Sequence, residues 1–278
     1  FGADNKSEIA LMTYQHILFE VKDHIATVTL NRPEARNALS LEMREDLKKA
    51  FDIIKASAGE DVKAVILTGA EGAFCAGGDV KNMGSKAVTG NDQRKRMRLG
   101  HNLIYDILHV EVPVISLVDG AAAGAGCNLA LLADFVLATP RGYFPQAFAN
   151  IGLVPDWAGF YILPRLVGLQ RARELIYTGR RVYGEEAKQL GMILDTVGQD
   201  TAMEEARELA GRLCQASTTA IGVSKNILNQ SFNQDFRTLM EMEAMGQSLV
   251  RDTDFHREAV RRFKDKEPPL YDWETLTK

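Results

Sequence analysis

VPVISLVDGAAAGAGCNLALLADFVLATP, residues 112–140, decides the fold. It opens on a β-branched apolar run, VPVISLV, and passes through Asp119, Gly120 and a loop of small residues. A helix then starts near Ala125, and the stretch closes on DFVLATP (134–140), a second strand. Strand, loop, helix and strand in that order imply parallel strands joined by helical crossovers. The same alternation holds upstream, where VKAVILTG (62–69) is another short β-branched run ending in Gly, followed by a helical stretch around 91–110.

Further out, HILFEVKDHIATVTL (16–30) alternates apolar and polar residues around Lys22–Asp23, the pattern of a hairpin. Ser40 is placed to cap LEMREDLKKAFDIIKAS, in which Leu41, Leu47, Phe51 and Ile54 recur at helical spacing and Gly59 marks the exit. MILDTVG (192–198) reads as a last strand. Beyond it, residues 201–216, 217–232, 235–250 and 253–264 read as helices separated by polar breaks. The expected division is an α/β body over 12–205 and a C-terminal helical region over 206–278. No repeat of solenoid length is present.

The 278 residues include 46% hydrophobic ones, ample for a buried core, and the net charge of −4 gives no global attraction to nucleic acid or an acidic membrane. Nucleic acid and membrane are therefore not expected partners. Cys75, Cys127 and Cys214 lie far apart, without CxxC or nearby His spacing, so neither a disulfide framework nor a metal site is expected. A reducing, cytoplasmic setting fits that usage. The most apolar region, 121–138, is interrupted by Asn128 and Asp134, and no signal-peptide pattern or membrane span is expected.

Two glycine loops carry the first chemical signal. FCAGGDV (74–80) follows the strand 62–69, and the pair Gly77–Gly78 lets backbone N–H groups approach a bound group closely. DGAAAGAGCNLALLAD (119–134) follows the next strand, and unpaired N–H groups at its helix start face whatever sits beyond the strand. Taken singly, the first reads as well as a plain turn, and the alternative for the second is close helix–strand packing through small residues. Neither loop has dinucleotide G-x-G-x-x-G or GxxxxGK[ST] spacing. Two such loops after consecutive strands can instead give one N–H each to a single carbonyl oxygen, forming an oxyanion hole.

The series NRPEARNAL (31–39), VILTGAEGAFCAGGDVKNM (65–83), PVISLVDGAAAGAGCNLALLADFVLAT (113–139), IGLVPDWAGFYILPRLVGLQRARELIYTG (151–179) and EEAKQLGMI (185–193) resembles the enoyl-CoA hydratase/isomerase (crotonase) family over about residues 14–270. The resemblance implies an α/β fold, a crotonase-like spiral of ββα units with a C-terminal α-helical trimerisation region. It also implies a homotrimer or dimer of trimers and an acyl-CoA thioester as substrate, with coenzyme A present only as part of that substrate and no separate cofactor. By position, the oxyanion donors are the N–H groups of Gly78 and Ala125. CoA is expected along Glu34, Ala35, Arg36 and Ala38 and along Ala76, Gly77, Asp79 and Val80, with Lys81 near phosphate. Phe263 and Lys266 are expected to reach CoA from a neighbouring subunit. Gly124, Asn128, Phe148, Pro155 and Trp157 complete the expected substrate-binding set.

The sequence departs from the family where hydratases use two glutamates to activate and deliver water: those positions hold Asn128 and Phe148. Asp156, in IGLVPDWAG (151–159), lies where several branches carry a catalytic Asp, among them isomerases of phenylacetate degradation and 4-chlorobenzoyl-CoA dehalogenases. Flanked by Val154, Trp157 and Phe148, its carboxylate would be partly desolvated and a better proton acceptor. An Asp after Pro and before an apolar run is also a good helix N-cap.

The leading expectation is a double-bond isomerase with Asp156 as acid and base. A hydratase, an Asp-dependent aryl-CoA dehalogenase or hydrolase, and a non-catalytic acyl-CoA binding protein are the alternatives. A serine hydrolase lacks support, because no GxSxG occurs and no Ser and His stand out as a pair. His101 falls near a histidine base of the dehalogenase branch, but a solvated or helix-packed histidine is the favoured reading. RKRMR (94–98) reads as a basic helix face, and Cys127 as a small buried filler. Asn128 is read evenly as a substrate contact or as part of the helix start.

Overall fold

The computed structural model describes residues 14–79 and 89–275. Strands β1 (Ile17–Lys22) and β2 (Ile25–Leu30) form the expected antiparallel hairpin. Its two turn residues, Asp23 and His24, adopt φ of 52° and 63°, the left-handed backbone that matches strand twist in a two-residue hairpin turn. Helix α1 (Leu41–Ala56) follows, capped by the Ser40 hydroxyl, which accepts from the Met43 N–H. Its buried stripe is Met43, Leu47, Ala50, Phe51 and Ile54.

The chain then alternates through β3 (Ala64–Gly69), β4 (Ala73–Cys75), α2 (Gly90–His109), β5 (Val114–Val118), β6 (Ala121–Ala122), α3 (Ala125–Leu131) and β7 (Phe135–Ala138). Next come α4 (Gly159–Thr178), broken at Gly168, then α5 (Gly184–Gln189) and β8 (Asp195–Thr196). The main sheet runs β1-β2-β3-β5-β7-β8, parallel from β2 onward, and β4 pairs with β6 in a small parallel sheet. Val114–Val118 is buried at every position, as expected of a parallel strand covered on both faces.

The last strand is shorter than MILDTVG implies. Only Asp195 and Thr196 pair with β7, because the Met192 N–H is drawn back to the Ala187 carbonyl at the end of α5. The C-terminal helices are α6 (Ala202–Leu213), α7 (Thr218–Gln230), α8 (Phe236–Arg251) and α9 (Asp254–Asp265). The 205/206 division runs through α6, whose Ala206, Leu209, Ala210 and Leu213 pack into one core cluster with Ile66, Ile115 and Leu117 of the main sheet. The other, larger core joins α1 and α2 to the sheet and reaches Phe148 and Trp157. No helix among the described residues is long and apolar enough to cross a membrane.

Candidate active site

The small β4–β6 sheet brings the two glycine loops together. Ala73 pairs with Ala121 and Cys75 with Ala122, and the Ala123 N–H donates to the Cys75 carbonyl at 2.9 Å. Both chains leave this sheet in the same direction, so Gly77–Gly78 passes beside the start of α3. Gly77 has φ of 100°, and a Cβ there would lie 2.7 Å from the Ala123 carbonyl oxygen and 3.7 Å from the Ala125 nitrogen. Only glycine permits that approach. Helix α3 begins at Ala125, as its sequence suggests. The N–H groups of Gly78 and Ala125 donate to no acceptor among the described residues, the condition for two donors to share an incoming oxygen.

The segments expected along CoA also meet. The Ala76 N–H donates to the Arg36 carbonyl at 2.9 Å, the Leu39 N–H to the Gly77 carbonyl at 2.8 Å, and Leu39 bridges Gly78. Glu34, Arg36 and Ala76 are exposed along this seam, Ala35 is half-buried and Ala38 is buried. Asp79 is not a free surface carboxylate: Arg32 Nη1 donates to its Oδ2 at 2.6 Å, with both side chains largely buried. That pair ties the first glycine loop to the 31–39 segment. Val80 and Lys81 lie outside the described residues.

Asp156, joined to α3 through Asn128, lies in an unusual stretch of backbone. Trp157 and Ala158 adopt φ of 47° and 60°, a strained conformation for residues with side chains and one that collects at functional sites. The expected capping role does not occur. Helix α4 starts at Gly159 with Ala158 at the cap position and no side-chain capping bond, because the left-handed step carries the Asp156 carboxylate away from the helix start. Asp156 Oδ1 is buried without a hydrogen-bond partner among the described residues. Burial pushes its carboxyl above the usual carboxylate range, and the Arg44 guanidinium opposes that rise. Trp157 is 3% exposed and Pro155 is buried beside it, whereas Val154, expected to help desolvate Asp156, is 70% exposed.

Asn128 answers the open choice between substrate contact and helix start with a third arrangement. Its Nδ2 donates to the Asp156 carbonyl at 2.7 Å, and its Oδ1 accepts from Gln146 Nε2 at 2.7 Å. Asn128 and Gln146 are almost fully buried, so this relay fixes the Asp156 main chain from α3. A Cβ on Gly159 would lie 2.4 Å from Asn128 Nδ2, which makes glycine obligatory there. Phe148 is buried, and its ring faces Gly124, with Cζ 3.7 Å from the position of a Cβ on that glycine. Asn128→Ala removes both bonds from a buried site. It is expected to lower unfolding stability by about 1–3 kcal/mol, measured by denaturant titration.

Two participants escaped the sequence reading. Gln146 sits between strands without a motif. Arg44 looks like a surface residue of α1, yet it is half-buried, and its Cζ lies 5.5 Å from the centroid of the Trp157 ring. No sequence signal marks either one. His101, Arg94, Lys95 and Arg98 are exposed on α2. Cys127 is buried, and burial pushes its thiol up to about 12, as for Cys75, so neither is a thiolate nucleophile at neutral pH. Phe263 is 86% exposed on α9 and Lys266 forms its C-terminal cap.

Among the described residues no cluster of three or more His, Cys, Asp or Glu side chains is placed to hold a metal ion. A separate apolar cavity of about 790 Å³ lies between α4 and α7, lined by Leu131, Tyr161, Leu166, Ile221 and Leu228. Lys225 on its wall is committed to Asp134 at 2.7 Å, whose same oxygen accepts from the Val114 N–H. That link fastens α7 to the main sheet.

Comparison with known proteins places this arrangement among relatives. A sequence model of the Enoyl-CoA hydratase/isomerase family matches residues 20–274. A probable enoyl-CoA hydratase of Rhodobacter capsulatus is 34% identical over 261 residues, covering 94% of this chain and 99% of that protein. The 1,2-epoxyphenylacetyl-CoA isomerase of Escherichia coli is 32% identical over 259 residues, covering 92% and 98%. The crystal structure of an enoyl-CoA hydratase/isomerase from Cupriavidus metallidurans superposes with a TM-score of 0.87 at 35% identity, covering 94% of this chain and 97% of that one.

Proposed function

The chain belongs to the enoyl-CoA hydratase/isomerase family, and from that premise we propose that it shifts the double bond of an enoyl-CoA thioester, with Asp156 carrying the proton. It is an enzyme of this family, whose relatives bear both hydratase and isomerase names. The observation that supports isomerisation is the unpartnered, buried Oδ1 of Asp156. The two positions that hold glutamates in hydratases carry instead an amide committed to the Asp156 main chain and a buried phenyl ring.

In this reading the thioester carbonyl oxygen accepts from the N–H groups of Gly78 and Ala125. Asp156 removes a proton from the α carbon of a 3-enoyl thioester. The released C–H electron pair forms a double bond between the α and carbonyl carbons, placing the charge on the carbonyl oxygen as a dienolate with the 3,4 double bond still in place. The protonated Asp156 then returns its proton to the γ carbon, giving the 2-enoyl isomer. One carboxylate suffices, since the acid of the second step is the base of the first. The CoA moiety follows the seam of Glu34, Ala35, Arg36, Ala38, Ala76, Gly77 and Asp79, and no further cofactor is required. The exposed apolar residues of α8 and α9, Phe236, Met245, Leu249 and Phe263, are consistent with burial between copies in a trimer or dimer of trimers.

A substrate panel tests the reading. Isomerisation of 3-enoyl-CoA esters supports it. Inertness toward them with hydration of 2-enoyl-CoA, or with halide release from a haloaryl-CoA, replaces it with the corresponding alternative. The pH profile adds a signed expectation. A base whose pKa is raised loses activity as pH falls through that raised value, so the acid limb of kcat/KM should lie above the ordinary Asp range. An acid limb at or below that range would remove the desolvated base.

A further inference from the structure

Asp156 and Arg44 are two opposite charges at one site, each with unused hydrogen-bonding capacity. No nitrogen of Arg44 lies within 4.0 Å of an Asp156 oxygen, and the Arg44 side chain has no hydrogen-bond acceptor among the described residues, its Nε being fully buried. A half-buried guanidinium without a partner is costly. The Arg44 position is nevertheless well supported. It rises from α1 between the buried residues Met43 and Leu47, and its guanidinium lies over Trp157, the residue that follows Asp156. Cation–ring stacking offsets part of the desolvation cost while leaving the donors free.

We propose that Arg44 is a positioning residue for Asp156: stacked on Trp157 and out of contact with the carboxylate, its guanidinium keeps that carboxylate ionised at neutral pH. The separation matters chemically. A carboxylate in a direct bidentate pair with arginine has its lone pairs occupied and is a poor base. A cation out of contact acts through its field alone and leaves the unpartnered Oδ1 open to substrate. Burial of Asp156 favours the protonated acid, which cannot accept a proton, and Arg44 is the charged group acting against it. Besides Asp156, the titratable group that acts on Arg44 is the buried Cys75 thiol of β4, neutral at this pH, and α3 contributes the neutral amide of Asn128 on the Asp156 main chain.

This inference rests on the base role of Asp156 given above, but its test does not require turnover. The protein labelled with ¹³C at aspartate carboxyls is titrated without ligand, and the Asp156 signal is assigned by its loss in Asp156→Asn. In the native chain Asp156 should titrate below neutral pH. In Arg44→Gln the midpoint should rise by about one pKa unit or more, and Arg44→Lys, which keeps the charge, should restore most of that shift. Arg44→Met keeps the stem on Trp157 and should behave like Arg44→Gln, providing a second neutral variant. A native midpoint above neutral pH overturns the proposal whatever the variants do. An unmoved midpoint in the neutral variants, or an equal shift in Arg44→Lys, overturns it as well. A protein that shows these shifts but leaves 3-enoyl-CoA untouched retires the isomerase reading and keeps this one.

Discussion

Asp156→Asn should lower kcat on a 3-enoyl-CoA by about 10²–10⁴-fold, the range expected when a positioned acid–base group is removed, while acyl-CoA affinity stays near the native value. The carboxylate makes no capping bond at α4 and its Oδ1 holds no partner, so the substitution leaves the neighbouring hydrogen bonds in place. Asn128 binds the main-chain carbonyl of residue 156, which the variant retains. Loss of rate without loss of binding is the signature of an interaction realised in the transition state. Calorimetric titration with a saturated acyl-CoA beside steady-state kinetics separates the two. A variant that keeps native turnover removes Asp156 from the chemistry, and a variant that loses affinity in proportion makes it a binding residue.

Gly77→Ala should produce the second large effect through a different mechanism. Its backbone φ of 100° is strained for any residue with a side chain, and the added methyl would meet the Ala123 carbonyl oxygen at 2.7 Å. Relief requires the first loop to move away from α3, which carries the Gly78 N–H away from that of Ala125. Removing one oxyanion donor costs roughly 10²–10³ in kcat, about 2.7–4 kcal/mol of transition-state stabilisation. The fall should be seen in kcat, and the acid limb of the pH profile should stay in place because Asp156 and Arg44 are untouched. Native kcat in a folded Gly77→Ala protein would mean that the two loops do not share an oxyanion.

Much of the scaffold was legible because local rules and tertiary packing agree. Ser40 caps α1, α3 starts at Ala125, and the four C-terminal helices fall within a residue or two of their expected ends, except that α6 closes at Leu213, three residues early. The small β4–β6 sheet was not legible, since Ala121–Ala122 has no strand propensity and pairs only because Ala73–Cys75 lies alongside. The Asp156 segment misled in one respect. Local chemistry favours a cap after Pro155, but the left-handed turn at Trp157 and Ala158 displaces the helix start to Gly159. That turn is held by Asn128 from α3 and accompanied by Arg44 from α1, contacts separated by tens of residues and invisible to any sequence window. At the position where the resemblance expects a glutamate, Asn128 supplies an amide that braces Asp156.

The most direct test of proton transfer by one carboxylate is a single turnover in ordinary water with a 3-enoyl-CoA deuterated at the α carbon. If Asp156 carries the proton, the 2-enoyl product should hold deuterium at its γ carbon above the level set by solvent exchange, and Asp156→Asn should abolish the transfer. A product with only solvent hydrogen at the γ carbon, or no double-bond shift at all, contradicts it.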